Sequence, residues 1–258
     1  MKNINTFRLI ALLLISIGCT QFVSAQDSLE AATKKADDSW KYTVTPYIWL
    51  SSIEGNLTVA DQDIPVDLNF AKDLLSKLKM GAMVHAEAKK NKLSLMLDIF
   101  YAKLGTDENV AGALGNIRDV RLRLKQTMFE GGLGYTFAQT GGFSLDALAG
   151  ARFFNVTTNV QIDDIEIANT KFNFLDPYVG MRFHNDWNKW AIGGRVDIGG
   201  FGLGSEYSYK INGLIHYKFK ESLVASIGYQ VYKPKYQEDM FEYNLGTEGF
   251  LLGLTFNF

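Results

Sequence analysis

The stretch Phe250-Leu-Leu-Gly-Leu-Thr-Phe-Asn-Phe258 decides the fold, because its residues alternate with the period of two that a β-strand requires. One face of this strand carries Phe250, Leu252, Leu254, Phe256 and Phe258. The other face carries Leu251, Gly253, Thr255 and Asn257. A wholly apolar strand face needs a layer that covers it, and lipid is one such layer. The stretch therefore predicts a strand that faces lipid.

The same ending resembles the last strand of bacterial outer-membrane β-barrels, in which a terminal aromatic residue is part of the signal read by the barrel-assembly machinery. This resemblance implies that Phe256 and Phe258 form an assembly signal. It also implies that the barrel-assembly machinery and the lipid of the outer membrane are partners of the chain.

The N-terminal residues predict export. An apolar run over 9–18 follows two basic residues and precedes Val23-Ser-Ala25. This order is typical of a secretory signal peptide, so we expect residues 1–25 to be removed and residues 26–40 to form a short periplasmic leader. Cys19 leaves a lipoprotein cleavage site open as an alternative.

Nothing in the remaining chain approaches the roughly 18 consecutive apolar residues of a transmembrane helix, so a closed β-barrel is the spanning fold that we expect. Loss of Lys2 and Arg8 moves the formal charge from -2 to -4, which is too small to indicate a nucleic-acid partner. Without Cys19 the mature chain has no cysteine, and its three histidines show no metal-ligand spacing. We therefore expect neither a metal nor a cofactor.

Long alternating stretches predict an all-β fold, an antiparallel transmembrane up-and-down β-barrel that occupies 41–258. The ten predicted strands are 41–51, 79–89, 92–105, 118–138, 142–160, 170–184, 188–201, 206–220, 222–235 and 241–258. Tight connections alternate with long ones, as in barrels whose short turns and termini are periplasmic. Eight or twelve strands stay open, because Ile53–Val59 could add a hairpin.

Several segments resemble those of a porin-like, uncharacterised family of bacterial outer-membrane β-barrel proteins. They are Thr45-Pro-Tyr-Ile-Trp-Leu-Ser-Ser-Ile-Glu-Gly55, Ile64-Pro-Val-Asp67, Leu148-Ala-Gly-Ala-Arg152, Asp176-Pro-Tyr-Val-Gly180 and Arg195-Val-Asp-Ile-Gly-Gly-Phe-Gly-Leu-Gly204. The resemblance covers about 41–258 and implies the barrel and a location in the cell outer membrane of a Gram-negative bacterium. It carries no established activity.

Alternation also assigns a set of ionisable residues to the lumen of the barrel. The set is His85, Glu87, Asp98, Glu130, Asp146, Arg152, Asp176, Arg182, Arg195, Asp197 and Lys210, with Lys218 on the same face. Charges at this density must pair when they are buried. We expect Asp176 to lie diagonal to Arg195, and Glu130 diagonal to Arg152. The set either forms an ion-pair network that fills the barrel or lines a narrow channel.

A basic trio precedes the apolar face of the predicted strand 118–138. Arg121, Arg123 and Lys125 have the same parity as the apolar residues further along this strand, such as Leu133. We expect a β-bulge near 126–128 to shift the parity and turn the trio toward the outer mouth. There it would attract anionic solutes or lipopolysaccharide phosphates; a solvated strand extension is the alternative.

Two connections have their own patterns. Asn69–Leu78 has a possible N-cap and apolar residues at helical spacing, which predicts a short amphipathic helix in the first outer loop. Gly199-Gly-Phe-Gly-Leu-Gly204 has no helix after it, so we interpret it as a tight outer loop and not as a phosphate-binding loop.

Enzyme signatures are weak, and we expect no catalytic residue. Omptin-like proteases place His and Asp groups at the outer mouth, whereas His184 and His216 lie near the predicted periplasmic end and His85 lies within a strand. No nucleophile-elbow pattern is present. We expect a structural or surface-contact barrel with an ion-paired lumen. A narrow porin-like channel is the alternative, and an enzyme of omptin or lipase type is the third. The solute and the oligomeric state stay open.

Overall fold

The computed structural model describes residues 39–59, 62–68, 78–111, 117–162, 165–238 and 241–258. Its eleven strands are β1 Lys41–Val59, β2 Gln62–Leu68, β3 Leu78–Lys90, β4 Leu93–Ala111, β5 Ile117–Thr140, β6 Phe143–Ile162, β7 Ile165–Trp187, β8 Trp190–Gly199, β9 Tyr207–Lys220, β10 Leu223–Glu238 and β11 Phe241–Asn257. The expected signal peptide, most of the expected leader and nearly all of the expected helix at Asn69–Leu78 lie outside these residues. In the described part of the chain, no helix is long and apolar enough to cross a membrane.

Antiparallel pairing closes the sheet into a barrel whose wall has ten strands. Each strand from β3 to β11 pairs with the next, and β11 pairs with β1 from Thr43–Asn257 to Val59–Phe241. The other edge of β1 is shared, because its first residues pair with β3 and Ile53–Val59 pair with β2. The predicted barrel is confirmed. The hairpin that had stayed open at Ile53–Val59 exists, as an extension of β1.

Two-residue turns join the strands at one end, which we call the periplasmic end. They are Asn91-Lys92, Gly141-Gly142, Asn188-Lys189 and Glu221-Ser222. Three of these turns contain a residue with positive φ: Asn91 at 53°, Gly141 at 56° and Asn188 at 58°. Asn and Gly tolerate this conformation, which short hairpin turns require.

Apolar side chains cover the outer surface of the wall from these turns to about the middle of the long strands. Trp187, Trp190 and Phe256 are exposed near the periplasmic end, and Phe201 and Tyr207 are exposed at the other end of the belt. On β9 the belt runs from Tyr207 to Phe219, roughly 25 to 30 Å along a tilted strand, which is about the height of the apolar band of an outer-membrane barrel. The belt is therefore the membrane-spanning part of the molecule.

Beyond the belt, in the outer half of the barrel, the two faces of the wall exchange their character. On β5, Met128 is 2% exposed inside the barrel, whereas Lys125 points outward and is exposed. The register of β5 with β4 and β6 is continuous there, and the one shift with β6 lies between Thr136 and Ala138. The predicted bulge near 126–128 is therefore wrong. The parity does not slip; the solvent around the strand changes from lipid to water.

The outer half consists of two facing sheets. Strands β4 to β7 form one sheet, and β10, β11, β1 and β2 form the other. They part because β8 ends at Gly199, opposite Tyr178, and β9 begins at Tyr207, opposite Lys235. Among the described residues, no strand pairing joins the two sheets above these positions, so side chains between them must hold them together.

The β8–β9 loop folds back against β7. Gly200 and Gly202 have φ of 87° and 70°. The carboxylate of Asp176 accepts hydrogen bonds from the backbone N–H and the hydroxyl of Ser205, both at 2.7 Å. A Cβ on Gly204 would lie 2.2 Å from the carbonyl oxygen of Leu175, so no other residue fits there. The interpretation as a tight outer loop is confirmed.

The expected diagonal pair of Asp176 and Arg195 is wrong. The β7–β8 turn contains only Asn188 and Lys189, which places Arg195 opposite Arg182. Asp176 then lies beyond the end of β8, where the loop and not the strand is its neighbour. A shorter turn than the sequence indicated accounts for this change of register.

Candidate functional site: the filled lumen

The lumen is crossed at mid-height by a layer of buried charges centred on Glu130. Its carboxylate accepts hydrogen bonds from Arg152 Nε at 2.7 Å and Lys210 Nζ at 2.8 Å. Arg195 Nη2 lies 2.6 Å from its other oxygen. The four side chains come from β5, β6, β8 and β9, and each is at most 9% exposed. One carboxylate thus contacts three cations that have almost no access to water.

Asp197 completes this layer. It pairs with Arg152, and it accepts a hydrogen bond from Arg195 Nε at 2.7 Å. The Arg152 guanidinium is 0% exposed and stacks 4.3 Å from the ring centroid of Tyr178. We name Glu130, Arg152, Arg195, Asp197 and Lys210 the charge layer. Glu130 and Arg152 are direct cross-strand neighbours, not the diagonal pair expected from the sequence.

A second group of charges lies between the charge layer and the periplasmic end. Arg182 binds both oxygens of Glu87, at 2.7 and 2.9 Å, and one oxygen of Asp146 at 2.7 Å. His85 Nδ1 lies 3.2 Å from Asp98, whose carboxylate also accepts a hydrogen bond from Tyr47 at 2.8 Å. These contacts join β1, β3, β4, β6 and β7 across the lumen.

All eleven ionisable residues that the sequence assigned to the lumen lie inside the barrel. Ten of them belong to the charge layer and the group around Arg182 and His85, and Asp176 binds the loop instead. Sequence reasoning missed the partners that are neutral. Tyr47 and Tyr178 lie among the charges, and Thr136 donates to Asp146 at 2.7 Å. Their parity along the strand was the available signal.

A cavity of about 590 Å³ occupies the periplasmic half of the lumen, below the charge layer. Polar side chains such as Thr43, Lys89, Ser144, His184 and Ser226 line it. Its size suits a small molecule. Its lining reaches the turn residue Glu221 at one end and Lys210 of the charge layer at the other.

Aromatic side chains fill the outer half of the lumen, above the charge layer. Phe154, Phe172 and Phe174 of one sheet pack on Tyr232, Tyr236 and Tyr243 of the other. The ring centroids of Phe174 and Tyr236 are 5.0 Å apart, and those of Phe172 and Tyr243 are 5.2 Å apart. Burial raises the pKa of the Tyr243 hydroxyl well above its usual range, so this group stays neutral. We name these six residues the aromatic seal.

The basic trio does not line the outer mouth. Lys125 points away from the lumen and lies over the ring of Tyr101, 5.7 Å from its centroid. Arg123 has the same parity on β5. The side chain of Arg121 lies outside the described residues. Without a bulge, Arg123 and Lys125 remain on the outer surface, so the prediction of a basic mouth is wrong for these two residues.

The histidines lie on the periplasmic side of the charge layer. The rings of His184 and His216 are 5.7 Å apart, and His216 Nδ1 lies 2.7 Å from the hydroxyl of Ser226. Within the part of the chain that the structure describes, no group of three or more His, Cys, Asp or Glu side chains is arranged to hold a metal ion.

Comparison with known proteins shows the fold class. No family model and no curated protein matches the chain. The outer membrane protease OmpT from Escherichia coli superimposes with a TM-score of 0.53 at 10% identity, over 89% of this chain and 99% of that one. The translocator domain of the autotransporter NalP from Neisseria meningitidis gives 0.41 at 8% identity, over 97% and 94%.

Ail, the attachment invasion locus protein of Yersinia pestis, gives a TM-score of 0.39 at 10% identity, over 85% of this chain and 98% of that one. The TM-scores of NalP and Ail, 0.41 and 0.39, are too low to support a conclusion about this chain. At 10% identity the likeness to OmpT shows the fold alone, and it carries over no residue of that protease. The chain is thus an outer-membrane β-barrel in its fold.

Proposed function

We propose that this chain is a sealed, non-catalytic barrel of the bacterial outer membrane, with a structural or surface-contact role. The observation that carries the proposal is that two closures lie in series in one lumen. The charge layer fills the lumen at mid-height, and the aromatic seal fills it above. Arg152 and Asp176, where the two closures meet, are both 0% exposed. A diffusion pore needs a continuous wet path, and the burial of these residues argues against one.

The apolar belt supports the proposed location, because such a surface is stable against lipid and not against water. The interior supports a role without catalysis. Its charges are engaged with one another, and the cavity that remains faces the periplasm and not the outer surface.

The test of the proposal is conductance in planar bilayers. We expect the refolded wild-type protein to insert without current steps, since both closures block ions. Insertion is checked on the same sample by the shift in SDS gel mobility on boiling, which a closed barrel shows because it has no free edge from which to unravel. Regular current steps from inserted, heat-modifiable protein would contradict the sealed barrel.

A narrow channel is the second candidate, and the periplasmic cavity is the observation that favours it. A solute of suitable size could enter this cavity from the periplasm and reach Lys210. To pass further it would have to displace the charge layer and then separate the sheets at the aromatic seal. The channel therefore needs a gate, and its current would begin only after a stimulus such as voltage.

The proposed assembly signal gives a separate prediction. Phe258 exchanges two backbone hydrogen bonds with Tyr42, at 2.9 and 3.3 Å, and its side chain is 77% exposed. Deleting Phe258 therefore removes little packing, and we expect refolding in detergent to be nearly unchanged. In cells we expect several-fold less protein in the outer membrane, because we propose that Phe258 is part of the signal that the assembly machinery reads.

The control for this prediction is Phe219→Ala. Phe219 is also an exposed aromatic residue near the periplasmic end, but it lies in the β9–β10 hairpin. Its substitution should leave the yield in cells near that of the wild type. Equal outer-membrane yields of the wild type and the Phe258 deletion would contradict a signalling role for Phe258.

A further inference from the structure

A row of lysines crosses the outward face of the sheet formed by β4 to β7. Lys103 on β4 is the direct cross-strand partner of Lys125 on β5. Lys125 lies opposite Thr157 on β6, which lies opposite Lys171 on β7. All three lysines are exposed. We name Lys103, Lys125 and Lys171 the lysine row.

No carboxylate among the described residues neutralises this row. The ammonium group of Lys125 lies over the ring of Tyr101 instead. Like charges directly opposite each other destabilise a sheet, and Lys103 with Lys125 is such a pair. The fold thus holds two adjacent positive charges and a third two strands away on the same face, where an external anion would stabilise them.

The row lies at a defined height above the apolar belt. Each lysine is four residues beyond an outward apolar residue of its own strand: Ile99 for Lys103, Phe129 for Lys125 and Leu175 for Lys171. The row of Tyr101, Thr127, Asn155 and Asn173 lies between. Four residues along a strand tilted by about 40° rise roughly 10 Å.

The headgroup layer of a membrane is about 5–8 Å deep on each side. A lysine ammonium group can lie several ångströms from its backbone position, because the long flexible stem can bend toward the headgroup layer. The ammonium groups of the row therefore reach the level of lipid phosphates in the outer leaflet.

The opposite sheet lacks such a row among its described residues. There Lys235 is paired with Glu206 at 3.0 Å and lies 3.9 Å from Glu242. Glu54 and Glu248 are exposed on the same sheet. Lys233 on β10 is the other outward lysine there and is only half-exposed, so among the described residues a row of exposed lysines without acidic partners lies on the β4–β7 sheet alone.

We infer that the lysine row is a binding site for the phosphate groups of lipid A, the anionic lipid of the outer leaflet. Lysine binds phosphate as a point charge, and basic residues just outside an apolar belt attract anionic headgroups. The row would fix this wall of the barrel against lipid phosphates. The inference goes beyond the sealed barrel, because a closed lumen requires no particular lipid.

The test is native mass spectrometry of the refolded barrel in detergent, titrated with purified lipid A. We expect the wild type to retain lipid A more tightly than lipid A from which the phosphates have been removed. The triple variant Lys103→Gln, Lys125→Gln, Lys171→Gln should bind phosphorylated lipid A on the order of 100-fold more weakly, since each lysine near a membrane surface contributes about fivefold. The matched control, Lys235→Gln, removes an acid-paired lysine and should bind like the wild type.

Gel mobility with and without boiling shows that each variant is folded, which we expect because the three side chains are exposed. Equal lipid A binding by the folded triple variant and the wild type would overturn the inference. Equal binding of lipid A with and without phosphates by the wild type would overturn it too. The same titration is repeated with a soluble acidic polysaccharide. If the triple variant binds lipid A like the wild type but no longer binds the polysaccharide, the row binds an extracellular polyanion, which also overturns the lipid assignment. Lipid A binding is measured without bilayer conductance. A negative result for the lipid inference can therefore be told apart from a negative result for the sealed barrel.

Discussion

Replacing Glu130 by glutamine should lower the free energy of unfolding by about 3–5 kcal/mol, the usual effect of removing one partner from a buried ion pair. Glutamine keeps the shape of the side chain but removes the charge on which Arg152, Arg195 and Lys210 converge. Asp197 would remain as the one acid of the charge layer. Denaturant unfolding in detergent micelles measures the effect.

The charge balance can be restored in a second variant. Glu130→Gln combined with Lys210→Met removes one acid and one cation together, so it should recover part of the lost stability. Glu221→Gln is the control, because Glu221 is exposed in a periplasmic turn and its change should stay within about 0.5 kcal/mol.

An open pore makes a different prediction for Glu130. Charges that water solvates interact weakly, so the single substitution would change stability by less than about 1 kcal/mol and would alter ion selectivity instead. If the Glu130→Gln protein unfolds like the wild type, the charge layer does not stabilise the barrel.

Removing a ring from the aromatic seal should cause the second large loss of stability. We expect Phe174→Ala to lower the free energy of unfolding by about 3–5 kcal/mol, because the ring is 4% exposed and its loss leaves a cavity between the two sheets. Adding Tyr236→Ala to Phe174→Ala should lower the free energy of unfolding further. The combined loss should be smaller than the sum of the two single losses, since the two rings are in contact. Unfolding in detergent micelles again measures the loss.

Phe250→Ala is the matched control for the seal. Phe250 is 56% exposed on the lipid face, where lipid or detergent fills the space that the ring leaves, so the cavity contribution should be absent. In planar bilayers the seal variants should stay silent, because the charge layer still closes the lumen. Current steps in Phe174→Ala would show instead that the charge layer leaves a path for ions.

The fold was predictable because one physical rule holds along the whole wall. Alternation sends every second residue to the lumen, and ten long strands with tight turns at one end leave few other folds. The final strand illustrates this: Phe250, Leu252 and Leu254 are exposed as predicted, and Leu251 is buried. Strand ends were less certain, since β1 runs on to Val59 beyond the predicted end at residue 51.

Lumen pairs were only partly predictable, because they depend on register. One extra residue in the β5–β6 ladder, near Phe137, makes Glu130 and Arg152 direct neighbours. A two-residue turn moves Arg195 away from Asp176. Turn length decides register, and a polar stretch such as Asn185-Asp-Trp-Asn188 does not reveal which of its residues form the turn.

The aromatic seal was missed for a different reason. Phe154 has the parity of Arg152, and Phe172 and Phe174 have the parity of Asp176, so alternation already placed them inside. A barrel with a polar interior gave no reason to expect rings there. The change from lipid to water around the strands supplies the reason, and nothing local in the sequence marks where it occurs.

The reversal of faces along the strands has a consequence for how the protein unfolds. The lower half is stabilised by lipid around it, whereas the outer half buries its rings inside, as a water-soluble β-sandwich does. Detergent or lipid composition therefore acts on one half, and denaturant in the aqueous phase acts on the other. The β5–β6 ladder runs unbroken but for one shift from Val120–Ile162 to Thr140–Phe143, so neither half can open without fraying the other. Two oppositely solvated halves thus form one cooperative unit.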